Sequence, residues 1–411
     1  MQTKESKPKR VLFSKNTRRE NVDFMEFKLN ETQKIVKETA RELSVKLIGE
    51  RAIEFDEERG VPDDLVKRFG DADIIRISFP KEYDGLGLGY MEQAMAFEEI
   101  AKVSSSVAMT LVVHSMFMKG IRYYGNEEQK QKFLVPAMKV ETRGSFAFTE
   151  PDTGSDPKQV TSTYRKEGDS YVLNGTKRFI TNAGYAGPIL LYAKNVETDE
   201  VSAFVFDKFL PGYSLSTPWD IVGIKGSPAY DVFMDEMVIP GDSMVSKEGK
   251  GFDVLIGTIT HSKVNMCALF LGTMVASYER SVKYAREKMH RGKPISKFPQ
   301  IGEKIVKIAM MVETARMMTY KVGEITMDRS NFNKMSAWVA MAKAYVSDLS
   351  VECNTLALKV LGPYGVADEY DVERYLRDSL IGPIVEGVSD VQRVITAGYI
   401  LGGKIDDFFV E

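Results

Sequence analysis

Cysteine and histidine are scarce in this sequence. Two cysteines among 411 residues, Cys267 and Cys353, exclude a disulfide framework. Three scattered histidines, His114, His261 and His290, offer no zinc-ligand spacing. Both cysteines lie in apolar, helix-patterned segments and read as buried free thiols, so a reducing, cytoplasmic setting is expected. Excess charge is lacking too. A formal net charge of −3 gives no general pull toward nucleic acid or an anionic membrane. No uninterrupted apolar run approaches the roughly 18 residues that span a bilayer. Internal repeats and low-complexity linkers are absent. What remains is a chain 44% hydrophobic and 27% charged, long enough for two or three domains.

Met1 to Asp23 carries Lys4, Lys7, Lys9, Arg10, Lys15, Arg18 and Arg19 without the apolar core of a secretory signal. It reads as a flexible basic tail, an organellar leader being the lesser alternative because the basic residues show no clear amphipathic spacing. From Phe24 the pattern turns helical. Asn30-Glu31-Thr32-Gln33 is a capping signature, and Val36, Ala40, Leu43 and Leu47 then fall on one helical face. Gly85, Gly87 and Gly89 space as GxGxG, without the strand–turn–helix setting of a dinucleotide fingerprint, and read as a tight structural turn. Near Gly144 the periodicity shortens to that of strands, which continue to about Gly251. Asn174-Gly175, between two strand-like runs, predicts a hairpin turn. Beyond Gly251, helical periodicity returns in long segments, 258–286 and 336–361 among them. The reading is an α+β multidomain chain: tail 1–23, helical domain 24–143, middle β-barrel or sandwich 144–255, and helical bundle 256–411.

One stretch carries chemistry. In Ile384-Val385-Glu386-Gly387-Val388-Ser389-Asp390, a carboxylate sits in an apolar run just before a polar helix start. Ser389 is placed to cap that helix, with Asp390 in its positively polarised first turn. Apolar neighbours raise a carboxyl pKa above the ordinary ~4.3 of Glu, as a base acting on carbon requires. The same residue also suits an ordinary solvated loop.

Five motifs in order resemble the acyl-CoA dehydrogenase family of flavoproteins. They are Phe148-Thr149-Glu150-Pro151-Asp152-Thr153-Gly154-Ser155-Asp156, Asn174 to Asn182, Arg291-Gly292-Lys293-Pro294-Ile295, Leu361-Gly362-Pro363-Tyr364-Gly365, and Glu386 to Arg393. The resemblance runs from about Phe24 to Gly402. It implies three domains ending in a four-helix bundle, FAD bound between the β domain and the bundle, and a homotetramer or dimer whose neighbouring subunit helps hold the cofactor.

It also implies roles. Phe146, Phe148 and Thr149 meet the flavin's pyrimidine side, and Ser155 the pyrophosphate and substrate. Phe179 stands where the family usually has Trp, and Thr181 lies near flavin N5, the hydride acceptor. Ser389 and Gln392 belong to the cofactor set. Glu386 takes the α-proton, and its own N–H, with Gly387 beside it, faces the thioester carbonyl. Several positions depart from the pattern. Lys288 and Arg291 replace an Arg and an aromatic, Lys359 replaces Gln before Gly362, and Val388 replaces Thr. Lys288, Arg291 and Lys359 present positive charge to the FAD pyrophosphate, or are exposed charges with altered cofactor binding. On the first long bundle helix, Lys263 stands at the family's Arg and Thr260 at an acidic position, both expected near the substrate.

The expected function is FAD-dependent α,β-dehydrogenation of an acyl-CoA, with electrons passing to an electron-transfer flavoprotein. Alternatives are dehydrogenation of a thioester on an acyl-carrier protein, a flavin monooxygenase or oxidase on the same fold, and a weakly active relative that binds partners.

Overall fold

A computed structural model describes residues 29–328 and 330–402. The basic segment 1–23 lies outside the described residues. Among these residues the chain runs from helices through a sheet to longer helices.

The first part contains α1 (Glu31–Leu47), α2 (Ala52–Glu58), α3 (Asp63–Asp71), α4 (Tyr90–Ala101) and α5 (Ser105–Tyr124). The capping signature forms as a reciprocal box between Asn30 and Gln33. Helix α5 is buried along almost its whole length, from Ser105 to Ile121. After α5 the chain forms α6 (Glu127–Gln129), a π-turn (Lys130–Leu134) and α7 (Val135–Met138) rather than one continuous helix. Pro136 contributes to this break, since it has no N–H for a continuous helical ladder.

The middle part holds β1 (Ser145–Ala147), β2 (Thr163–Glu167), β3 (Ser170–Thr181), β4 (Pro188–Asn195), β5 (Val201–Asp207), β6 (Tyr213–Leu215), β7 (Ala229–Pro240) and β8 (Met244–Val245). Their order across the sheet is β6-β7-β3-β2-β4-β5-β8, with β1 added parallel to β4. The hairpin expected at Asn174-Gly175 does not form. Strand β3 runs straight through, and its register against β7 shifts between Leu173 and Gly175. Asn174 is bound sideways: its amide donates to Glu236 at 2.7 Å and its carbonyl accepts the Glu236 N–H at 2.8 Å. Gly175 takes φ +135°, and a side chain there would lie 2.7 Å from the Ser162 Cα. The Asn-Gly pair therefore serves a bulge with close strand approach.

The last part is built on α8 (Gly251–Glu287), α9 (Pro299–Ile325), α10 (Phe332–Leu361), α11 (Val372–Ser379) and α12 (Ser389–Leu401), with a small ribbon of β9 (Met289–His290) and β10 (Lys293–Pro294) after α8. Helix α8 is the axis of the molecule, packing on α4, α5, α9 and α10. By length and composition it could cross a membrane, yet 89% of its most apolar window is buried inside this fold. Cys267 on α8 and Cys353 on α10 are buried free thiols.

Candidate active site

Glu386 occupies a turn between α11 and α12. Its φ is +50°, and Gly387 follows at +92°. A non-glycine residue in the left-handed region is uncommon and needs support from its surroundings. That support comes from α10. Buried Lys343 donates to the Gly382 carbonyl at 2.9 Å and to the Gly387 carbonyl at 2.6 Å, clamping both ends of the turn. The Ser389 N–H closes it onto the Pro383 carbonyl at 2.8 Å. The expected cap is not made: Ser389 is the first residue of α12, and its hydroxyl donates to Asp348 at 2.8 Å. Gln392 is buried beneath Gly387, where a Cβ would lie 2.3 Å from the Gln392 Nε2.

The turn aims the Glu386 carboxylate at α8. The Ser262 hydroxyl donates to Oε1 at 2.9 Å, while Oε2 is enclosed and has no hydrogen-bond partner among the described residues. The stem of Glu386 is partly exposed, but the carboxylate head is buried. Burial lifts its pKa to about 7, against the opposing pull of the Ser262 hydroxyl and of Lys263, Lys119 and Lys343. Burial also holds these lysines down, Lys263 and Lys343 to about 8 and Lys119 to about 7, with Glu386 pulling each back up. Among the described residues, neither the Glu386 nor the Gly387 N–H enters a backbone hydrogen bond, so donors remain open beside the carboxylate. Thr260 is buried on α8 two residues before Ser262, and no hydrogen bond joins it to Glu386 among the described residues.

A second group of predicted residues lies on the sheet. Phe146 and Phe148 pack on Tyr192, with ring centroids 5.4 and 5.8 Å away. The Thr149 carbonyl accepts the Arg178 N–H at 2.7 Å, tying the turn after β1 to β3. Behind it is a buried ion pair, Lys177 Nζ to Glu150 Oε1 at 2.6 Å. Glu150 also accepts from the Thr161 hydroxyl and N–H and from the Ser162 N–H. A second register shift in β3, between Lys177 and Ile180, leaves Phe179 at φ +58° and 49% exposed. That ring packs on Trp219 at 5.0 Å. Asp231 sets the arrangement, accepting from the Trp219 indole at 2.9 Å and from Arg178 at 3.0 Å. Two large aromatics held at the surface by polar anchors are suited to a flat apolar ring. Thr181 ends β3 opposite Ala229, and Ser155 is exposed in the loop after β1.

The structure sets Lys288, Arg291, Lys359 and Gly362 apart from Glu386. Lys288 is at the far end of α8, over the Tyr364 ring at 4.4 Å. From Lys263 to Lys288 is roughly 37 Å along the helix at ~1.5 Å per residue. Arg291 and Lys359 are exposed at that far end, near Gly362 at the close of α10. Val388 is at the turn itself, as the residue before α12.

Sequence reasoning gave no role to Ser262, Lys343, Lys119 or Trp219. The two lysines had a signal. Each is a lone cation in an apolar helical run, Met341-Ala342-Lys343-Ala344 and Phe117-Met118-Lys119-Gly120. A charge in such a position is buried only at a cost and seldom without purpose. Ser262 and Trp219 carry no such mark.

Comparisons with known proteins cover nearly the same span. Family models described as the N-terminal, middle and C-terminal domains of acyl-CoA dehydrogenase match residues 30–141, 145–237 and 249–401. The chain is 32% identical over 380 residues to the short-chain specific acyl-CoA dehydrogenase of Clostridium acetobutylicum, covering 92% of this chain and 100% of that one. It is 31% identical over 396 residues to the mitochondrial short-chain specific enzyme of Rattus norvegicus, covering 95% of each. The butyryl-CoA dehydrogenase structure from Megasphaera elsdenii superposes with a TM-score of 0.87 at 30% identity, covering 92% of this chain and 100% of that one.

Proposed function

The chain belongs to the acyl-CoA dehydrogenase family, and from that premise we propose that Glu386 is the base that removes the α-proton of its thioester substrate. The enzyme is an FAD-dependent acyl-CoA dehydrogenase. The observation that carries the assignment is the Glu386 carboxylate: enclosed, held by one hydroxyl, with a free oxygen and a pKa lifted to about 7. At that value it is largely ionised just above neutral pH and remains a stronger base than an exposed Glu.

The protein groups on the sheet suit the cofactor. The exposed Phe179–Trp219 pair offers an apolar face, with Thr181 at the end of the same strand as Phe179 and Thr149 bonded to the adjacent Arg178, and on α12 buried Gln392 has an amide oxygen without a partner among the described residues. These residues would hold FAD, which when bound supplies the acceptor for the β-hydride. Glu386 takes the α-proton as the Cα–H bond breaks. The Glu386 N–H, free of any backbone acceptor, would donate to the thioester oxygen as negative charge develops there. Lys263, buried one residue beyond Ser262, favours the same charge. Lys343 fixes the turn, so donor and base keep one geometry.

Lys288, Arg291, Lys359 and Gly362 are assigned to the site of a second copy of the chain, because they lie too far along α8 and α10 to serve their own. This supports a homo-oligomer, dimer or tetramer. Exposed apolar side chains on α9, α10 and α12, including Val306, Met310 and Val394, offer it a surface. We assign coenzyme A rather than a carrier protein as the thioester carrier, an electron-transfer flavoprotein as electron acceptor, and a cytoplasmic location, which two buried thiols fit. The decisive experiment is Glu386→Gln. It should retain FAD, yet lose flavin bleaching by acyl-CoA and exchange of the α-proton with solvent. Unchanged exchange would remove Glu386 as the base.

A further inference from the structure

Lys119 is left unexplained by this mechanism. It lies in the interior of α5, fully buried. Its amine donates to the His261 carbonyl of α8 at 3.0 Å and stands 4.8 Å from the centre of the Tyr90 ring on α4. Three helices therefore converge on it. An ammonium group has three donors, and among the described residues the His261 carbonyl is its one hydrogen-bond acceptor. Among the described residues, no carboxylate lies within ion-pair distance of Lys119. The acidic group that bears on it is Glu386, bound to Ser262, the neighbour of His261 on α8.

The surroundings deepen the imbalance. Lys119, Lys263 and Lys343 are all buried around the single carboxylate of Glu386. Lys343 is spent on the turn, and Lys263 lies beside the reacting end. Arg122, one turn along α5, adds more positive charge and is itself fixed to the Ser78 carbonyl at 2.7 Å and the Tyr123 ring at 4.8 Å. The nearby Tyr90 and Tyr123 hydroxyls are 2.7 Å apart, and the Tyr123 ring lies 4.4 Å from that of His261. The result is a polar, aromatic cluster on the side of Glu386, in which three buried lysines face one carboxylate. An uncompensated buried cation is costly, and an anionic ligand group removes the cost.

We propose that Lys119 is a specificity-determining residue that binds a carboxylate at the tail of the acyl group, so that the preferred substrates are short acyl-CoA thioesters with a carboxyl end. This rests on Glu386 as the α-proton base, because the base fixes where the reacting carbon sits. The tail then enters between α4, α5 and α8, where Lys119 meets it. Burial, with the charge of Arg122, holds the Lys119 ammonium down to about 7 against the pull of Glu386, and a carboxylate in contact would restore its charge.

The test uses FAD-loaded Glu386→Gln, which binds without turnover. Calorimetry compares succinyl-, glutaryl- and adipyl-CoA with pentanoyl- and hexanoyl-CoA. At least one carboxylated thioester should bind tighter than the neutral ones by roughly 10- to 100-fold, the range of a charge-assisted hydrogen bond. Adding Lys119→Met should erase the ratio, and Lys119→Arg should keep part of it. A ratio at or below one for all three carboxylated thioesters, or a ratio that survives Lys119→Met, overturns the proposal. Should Lys119→Met not fold, Lys119→Gln takes its place, and a ratio at or below one in the Glu386→Gln enzyme still overturns the proposal. The two readings fail separately. Glu386-dependent turnover of hexanoyl-CoA without carboxylate preference leaves the base standing and removes the tail site. Carboxylate preference in an enzyme whose turnover survives Glu386→Gln removes the base instead.

Discussion

Replacing Ser262 by Ala tests the electrostatics of the site more finely than removing the base. Among the described residues, the Ser262 hydroxyl is the one hydrogen-bond donor to the Glu386 carboxylate, at 2.9 Å. It favours the ionised form, whereas burial favours the neutral form. A hydrogen bond to a charged group contributes about 1.5–3 kcal/mol, and one pKa unit corresponds to about 1.4 kcal/mol. Deleting the hydroxyl should therefore raise the Glu386 pKa by ~1–2 units from about 7. The base must be deprotonated to act, so the rate climbs as pH rises through that pKa. At pH 7 the ionised fraction, and the rate with it, should fall by roughly 5- to 50-fold. Well above the new pKa the variant should approach the parent rate. Stopped-flow bleaching of the flavin by acyl-CoA, followed from pH 5.5 to 9.5, gives both profiles. Lys263 and Lys343 titrate in both proteins, so the difference between profiles isolates the hydroxyl. An unshifted midpoint, or an equal loss at every pH, would refute the reasoning.

Other outcomes follow from the same geometry. Glu150→Gln should destabilise the protein by about 3–5 kcal/mol, because Lys177 is left buried without its partner. Thermal unfolding measures this. The ion pair and hydrogen bonds hold Glu150 down to about 2, so its contribution is present above the ordinary carboxylate range and is lost as pH falls toward 2. The deficit of the variant should accordingly shrink on acidification. Trp219→Ala removes the support of the Phe179 ring and should weaken FAD retention on dilution by about 5-fold or more, an aromatic pair being worth ~0.5–1.5 kcal/mol beyond the area it buries; equal retention would show that the ring is not part of the cofactor face. Lys343→Met strands two turn carbonyls and should cost about 1–3 kcal/mol of stability. It also removes a cation near Glu386, so the pH–rate midpoint should rise, and a falling midpoint would contradict the charge assignment.

The order of helices, strands and longer helices was legible because each rests on local periodicity. Val36, Ala40 and Leu47 are buried on one face of α1, as their spacing requires. The Asn30 capping box needs only residues three apart, and it forms. Asn174-Gly175 was misread because a turn and a bulge use the same residues. What separates them is Glu236, some sixty positions away, reaching Asn174 across the sheet. Ser389 failed as a cap for a similar reason. Asp348 on α10 competes for its hydroxyl and wins.

Glu386 itself was marked in the sequence by a charge inside an apolar run before a helix. The sequence by itself determined that one carboxylate, the helix after it, and the motifs of the sheet, since each depends on neighbours within a few residues. Only the tertiary structure decided what Glu386 experiences. Ser262 lies 124 positions away along the chain, and Lys343 and Lys119 come from two other helices. Desolvation and charge act through space, over distances that chain order does not encode. The Lys288–Arg291 end of α8 shows the converse: adjacent in family pattern to the same cofactor, yet set apart from Glu386 by the length of a rigid helix.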